Sequence, residues 1–202
     1  MKLYGAVLSP FVRMCLVTAH ELGLKDKLTH VPASVSPIAI NPDLAKLSPI
    51  GKIPVLETDH SHAIYDSRVI MEYLAHVGGS RSFIPDDGVK RFRVLTLLAL
   101  AQGIAEAAVA LRYEQAQRPE NARWPEFMER QKARINDGLD EIENHWLDAL
   151  EAVSAGSVAI ACAIGYIDLR HADLNWRKTR PHAALHLDAF ANRPSMQAWP
   201  VA

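Results

Sequence analysis

Residues 157–172, SVAIACAIGYIDLRHA, are apolar on nearly every side of a helical wheel. A helix with no polar face has to be ringed by other helices, so this stretch predicts the buried centre of a bundle. Its neighbours supply the ring. Residues 89–117, through VLTLLALAQGIAEAAVALRYEQ, read as a helix too long and too apolar for a surface position alone. A helix over about 125–151 carries one stripe, Phe127, Ile135, Leu139, Ile142, Trp146 and Leu150, with Gln131 as its exception. A last helix over about 181–192 ends at NRP, and no strand pattern interrupts this half.

The chain changes character near residue 79. Before it, KLYGAVL (2–8) reads as a strand and PFVRMCLVTAHELGL (10–24) as a helix, followed by a weaker strand, KLTHVPA (27–33). NPDLAKL (41–47) is a short helix with Asn41 as N-cap and Pro42 at the first helical position. KIPVLET (52–58) and HAIYD (62–66) form a hairpin, and SRVIMEYLAHV (67–77) is a helix capped by Asp66 or Ser67. One β-α-β unit, a hairpin and a helix make a small mixed sheet with helices on both faces. The turn formers of GGSRSFIPDDG (78–88) divide an α/β domain over 1–78 from an all-helical domain over 89–202, with a linker over 79–88.

Composition removes several function classes. A chain of 202 residues, 49% hydrophobic, has enough apolar mass for a core, and a net charge of −1 does not suit a binder of nucleic-acid backbone. The basic run KRFR (90–93) reads as the solvated start of a helix. There is no run of eighteen apolar residues to suggest a membrane span, and MKLYGAVLSPF lacks the pattern of a signal peptide. The two cysteines, Cys15 and Cys162, both fall inside apolar helical patterns, which suits a reducing compartment, so a cytoplasmic protein is expected. His60 with His62, and His182 with His186, lack a further ligand at metal spacing, so no metal is expected. There is neither a glycine-rich phosphate loop nor a GxSxG elbow.

Three features of the first domain carry chemistry. Ser9 stands where the first strand becomes a helix, with Pro10 at the first helical position. Its hydroxyl and the free N–H groups there suit an anion, a thiolate included, although a plain N-cap serine would look the same. In SPIGKIPVL (48–56), Pro54 interrupts a strand pattern. A cis Ile53–Pro54 bond would present the backbone of Ile53 to an extended peptide, whereas a trans proline would only start an edge strand. In YDSRVI (65–70), Asp66 and Ser67 open a helix that can take a carboxylate, with the Asp66 carboxyl available to an amine. Together the three describe a site for a small thiol peptide.

SPFVRM, SPIGKIPVLET and YDSRVIMEYL resemble the three glutathione-site motifs of the glutathione S-transferase family, and SAGSVAIACAIGYIDLR (154–170) and NRPSMQA (192–198) resemble its central helix and its ending. The likeness covers essentially the whole chain and is strongest to short bacterial members opening Ser-Pro-Phe-x-Arg. It implies a thioredoxin-like α/β domain followed by an all-α bundle, glutathione as co-substrate with no permanently bound cofactor, a homodimer and a role in detoxification. Carried over by position, Ser9 bonds the glutathione sulfur and Ile53, before Pro54, pairs with the cysteinyl part. Asp66 and Ser67 hold the γ-glutamyl end, Lys52 meets the glycine carboxylate, and Phe11 lies beside the site. The implied acceptor pocket for an apolar electrophile involves Ala107, Leu111 and Tyr113. Two positions depart from the family pattern: Ser48 replaces asparagine before the loop proline, where it is expected still to cap a turn. Ser157 replaces the aspartate of the capping box begun by Ser154, which implies a weaker cap.

A cysteine at the helix mouth accompanies thiol transfer through a mixed disulfide in this family. Ser9 cannot form one, which favours conjugation. The alternatives are a module of the same fold that holds glutathione or another ligand without turnover, and a glutathione-dependent thiol oxidoreductase or peroxidase using Cys15. The place of Cys15 on the apolar side of its helix favours an inert thiol.

Overall fold

The computed structural model describes residues 1–201. Its sheet has four strands, β1 (Lys2–Tyr4), β2 (Thr29–Val31), β3 (Val55–Glu57) and β4 (Ala63–Ile64), in the order β2-β1-β3-β4. β1 pairs in parallel with β2, and β3 pairs antiparallel with both β1 and β4. Helices α1 (Pro10–Glu21), α2 (Pro42–Leu47) and α3 (Ser67–Val77) complete this half. The helical half contains α4 (Gly88–Ala116), α5 (Pro125–His145), α6 (Leu147–Leu150), α7 (Ala155–Arg170), α8 (Pro181–Ala191) and α9 (Pro194–Gln197).

The strands are shorter than their apolar runs suggest, for local reasons. β1 stops before Gly5, whose φ of 153° belongs to glycine. A side chain there would overlap Val12 Cγ2 and press Ile53 Cβ at 3.2 Å. β3 begins only after Pro54, which has no N–H to donate to a ladder. The helix expected over 125–151 is broken at Trp146, which leaves the α conformation at φ −126° and ψ 6°. The short α9 carries too few residues to show a period.

α7 is the bundle centre: Val158, Ala159, Ile160, Cys162, Ala163 and Ile167 are fully buried. Its small residues let α4 come close, since a Cβ on Gly156 would lie 2.8 Å from Leu97 Cβ. Ser154 and Ser157 complete the capping box reciprocally, at 3.2 and 2.9 Å, and the Ser157 hydroxyl also meets the Ala152 carbonyl at 2.8 Å. The serine therefore serves both partners of the motif. α4 is long and apolar enough, by length and composition, to cross a membrane, contrary to the reading of its sequence. Half of its most apolar window is buried within the protein, as in the core helix of a bundle.

One hydrophobic cluster runs through both halves, from Leu3, Val12, Leu56 and Ile70 to Leu97, Ile104, Val158 and Ile167. The connecting segment is part of this assembly. Phe83 and Ile84 are buried, and the Phe83 carbonyl accepts from the Ala155 N–H at 3.0 Å. The end of the chain is clamped onto α1. Arg13 Nε donates to the Trp199 carbonyl at 2.7 Å, and Glu21 receives Arg193 and Ser195. The basic run at the head of α4 is largely paired, Arg91 with Glu72 and Arg93 with Asp148, each at 2.7 Å.

Candidate functional site

β1 delivers the chain through Gly5 to Ser9, the N-cap residue of α1. Its backbone is engaged: the N–H donates to the Ala6 carbonyl at 2.9 Å, and its carbonyl accepts from the Arg13 N–H at 3.0 Å. The side chain makes no capping bond. Ser9 thus occupies an N-cap position without using its hydroxyl there, and among the described residues that hydroxyl has no partner. It stands half-buried at the positive end of the α1 dipole, followed by half-buried Phe11.

Cys15 lies one turn deeper. Its Sγ is 3.4 Å from the Phe11 carbonyl and 3.8 Å from that of Ser67, and the side chain is fully buried. Burial pushes its thiol well up, with the charges of Cys162 and Asp66 adding to the effect. Burial also pushes Cys162 up to about 12, against the neighbouring Arg13. Both sulfurs are protonated and sealed, the opposite of a reactive thiol.

The Ile53–Pro54 bond is cis. Among the described residues the N–H and C=O of half-buried Ile53 take part in no hydrogen bond, and exposed Lys52 makes no ion pair. The preceding turn is built by backbone, with the Gly51 N–H donating to the Ser48 carbonyl at 3.1 Å. Ser48 departs from expectation: its hydroxyl is buried and caps nothing.

At the head of α3 the Tyr65–Asp66 bond is also cis. Asp66 caps the helix, its Oδ1 accepting from the Arg68 N–H at 3.0 Å. The carboxyl expected to be available to an amine is shared with the Arg68 guanidinium, which donates to both oxygens, at 3.3 and 2.9 Å. Burial pushes the Asp66 carboxyl up, but Arg68 and the helix N–H groups outweigh it and hold it below the usual range. Ser67 is buried, and its hydroxyl accepts from Gln102 Nε2 of α4 at 2.8 Å. Gln102 thereby orients the hydroxyl, leaving its hydrogen as the group Ser67 has to donate.

Gln102 and Arg68 are the site residues sequence reasoning missed. The signal for Gln102 was a lone amide within the apolar run LLALAQGIAEAAVAL. The acceptor-side residues also need correction. Ala107 and Leu111 belong to the hydrophobic core, 3% and 1% exposed, so neither forms an open wall. Of the three, only Tyr113 is half-buried. The face of α4 that carries Gln102 continues, at helical spacing, through Glu106, Val109 and Tyr113. Cavities of about 420 Å³ beside Arg13 and Gly165, and of about 400 Å³ between α4 and α5, contain neither Ser9, Ile53, Asp66 nor Ser67.

A four-stranded mixed sheet with an anion-ready helix start, joined to a bundle around one apolar helix, defines a glutathione transferase fold. Residues 8–77 match the glutathione S-transferase N-terminal domain and residues 125–189 the glutathione S-transferase C-terminal domain. The chain is 32% identical to the uncharacterised GST-like protein YibF of Escherichia coli (strain K12), over 96% of each sequence. It superposes with a TM-score of 0.97 on a glutathione transferase family member from Pseudomonas fluorescens Pf-5 with bound glutathione, at 37% identity, covering 100% of this chain and 98% of that one. A family member from the same organism with bound S-(propanoic acid)-glutathione gives a TM-score of 0.91 at 36% identity, covering 98% of each. The chain belongs to the glutathione S-transferase family.

Proposed function

We propose that this protein is a glutathione transferase that activates the glutathione thiol at Ser9 for attack on an electrophile. The observation that carries the proposal is the uncommitted Ser9 hydroxyl at the start of α1, in a family with glutathione-bound neighbours. In this reading the Ile53 backbone pairs with the cysteinyl unit. Asp66 and Ser67 receive the γ-glutamyl end, Lys52 the glycine carboxylate, and Phe11 flanks the peptide. Asp66 meets the α-amine with the face of its carboxylate that Arg68 leaves open, and Ser67 donates the hydrogen that Gln102 leaves free.

A free thiol has a pKa of about 8.5. Lowering it by about 2 units needs about 2.7 kcal/mol of preference for the thiolate. One hydroxyl bond to a charged acceptor, about 1.5–3 kcal/mol, together with the helix start supplies that. The released proton passes to solvent, and the sulfur forms the new bond to carbon. The thioether bound by the Pseudomonas neighbour, S-(propanoic acid)-glutathione, is the kind of product such chemistry makes. Sealed Cys15 counts against the oxidoreductase reading. A homodimer is part of the proposal: exposed Val69 on α3 and Phe92 on α4 offer apolar surface to a second copy, which sedimentation would detect.

Calorimetric titration with glutathione, followed by conjugation to a chromogenic chloronitrobenzene, tests the function. Saturable binding with protein-dependent thioether formation is expected. Binding without turnover would make the protein a glutathione-holding module, and no binding would end the assignment.

A further inference from the structure

Three helix ends converge above the α1 start. α1 and α7 run antiparallel: Arg13 Nη1 lies against Gly165, where a Cβ would sit 2.7 Å away, while Cys15 two residues on is within electrostatic reach of Cys162. Following α1 back to Ser9 and α7 forward to Tyr166 and Arg170 leads to the same end of the molecule. α4 joins them there, because His171, just past α7, has Nε2 2.8 Å from the Ala108 carbonyl. One turn on from Ala108, α4 presents Arg112 and Tyr113.

This corner holds more positive charge than its own acids use. Arg112 and Arg170 are half-buried, and among the described residues neither makes an ion pair or a side-chain hydrogen bond. Both guanidiniums bear on Tyr166 and on His171. Two acids lie near, exposed Asp173 acting on His171 and exposed Glu106 acting on Arg68, and among the described residues neither forms a salt bridge with Arg112 or Arg170. Tyr166 is 7% exposed, its ring 6.3 Å from that of His171, and its hydroxyl makes no hydrogen bond among the described residues. That hydroxyl is also absent from the sealed polar atoms without partners, so it opens to solvent. A buried phenol with an unbonded hydroxyl, one helical turn from Arg170 and under the charge of a second unpaired guanidinium, Arg112, suits a carboxylate.

We propose that the second substrate is anionic, an α,β-unsaturated carboxylic acid whose carboxylate is bound by Arg112 and Arg170 with the Tyr166 hydroxyl donating to it. The proposal rests on the transferase reading and names the substrate class of that same site. The glutathione thiolate attacks the β-carbon and a C–S bond forms. The π pair of the C=C bond moves to the α-carbon, which takes a proton from water, while the proton lost by the thiol has gone to solvent. One glutathione adds across one double bond and no further reactant is needed. Charge drawn from the carboxylate by two guanidiniums leaves the β-carbon more electron-poor, which the acid anion lacks in free solution. A role of Arg170 confined to compensating the α7 C-terminus would give no preference between acid and neutral ligands.

Calorimetry separates the possibilities without requiring turnover. The probes are glutathione, S-(2-carboxyethyl)glutathione and its neutral isostere S-(2-carbamoylethyl)glutathione, against the wild type, Arg112→Gln, Arg170→Gln and Arg170→Lys. The wild type is expected to bind the acid at least tenfold more tightly than the amide. Each glutamine variant should bring that ratio towards one, Arg170→Lys should restore part of it, and the Kd of glutathione itself reports that each variant is folded. Wild-type binding of glutathione with equal affinity for the two thioethers would overturn this proposal and leave the transferase reading standing. A ratio that survives both glutamine variants would overturn the assignment to these arginines. Failure to bind glutathione at all would overturn both.

Discussion

Replacing Gln102 by leucine is the perturbation that most directly probes how the two halves are joined at the site. Gln102 is 6% exposed and Ser67 2% exposed, with 2.8 Å between the amide nitrogen and the hydroxyl. Gln102→Leu removes the donor and leaves the hydroxyl of a largely buried serine with an unused lone pair. That costs about 1–3 kcal/mol, whereas removing both partners is close to neutral. For a chain of this length about 1 kcal/mol moves Tm by roughly 2–4 °C. Gln102→Leu should therefore lower Tm by about 2–12 °C, and adding Ser67→Ala should recover part of the loss. Denaturant unfolding of the wild type, both single variants and the double variant gives the coupling, expected at about 0.5–3 kcal/mol. Additive single losses would refute the claim that this hydrogen bond links α4 to α3. Because Gln102 also orients the Ser67 hydroxyl, its removal should weaken glutathione binding as well.

Three further outcomes follow from the geometry. Gly5→Ala should destabilise by about 1–3 kcal/mol, because its Cβ meets Val12 and Ile53, and thermal unfolding equal to the wild type would contradict that crowding. Burial holds the His171 imidazole below its ordinary value against the opposing bond to Ala108, so the unfolded chain takes up this proton first. Its contribution to stability is complete above about pH 6.5 and is lost as pH falls below that value; denaturant midpoints should show a shallower acid decline for His171→Gln, and an unchanged decline would clear His171. Cys15 and Cys162 should resist an aromatic disulfide reagent in the native protein and react on unfolding, and prompt native labelling would show that the burial is wrong.

Much of this architecture is written in short-range pattern. The all-round apolarity of 157–172 requires a ring of helices, and α7 is that centre. The head of α3 is visible as Asp66 followed by Ser67, because capping is a local property. The partnerships are another matter. Ser67 and Gln102 lie 35 residues apart, and no local rule indicates that an amide in an apolar helix will serve a serine in another element. The pattern places Arg68 on α3, yet its side chain turns back onto Asp66 and changes what that carboxyl can offer. Ala107 and Leu111 mislead for a related reason: the apolar positions of α4 are those it buries, so the accessible side is found at Glu106 and Tyr113. Strands are shorter than the apolar runs where Gly5 and Pro54 intervene, since an apolar run marks burial without marking where the hydrogen-bonded ladder stops.

The central claim is that Ser9 stabilises a glutathione thiolate, and following thiolate absorbance against pH in the presence of bound glutathione measures it. Wild type should show the bound thiol titrating about 2 units below free glutathione, with Ser9→Ala returning it towards the free value while still binding the peptide. An unshifted thiol in the wild type, or the same depressed value in both proteins, would contradict the account.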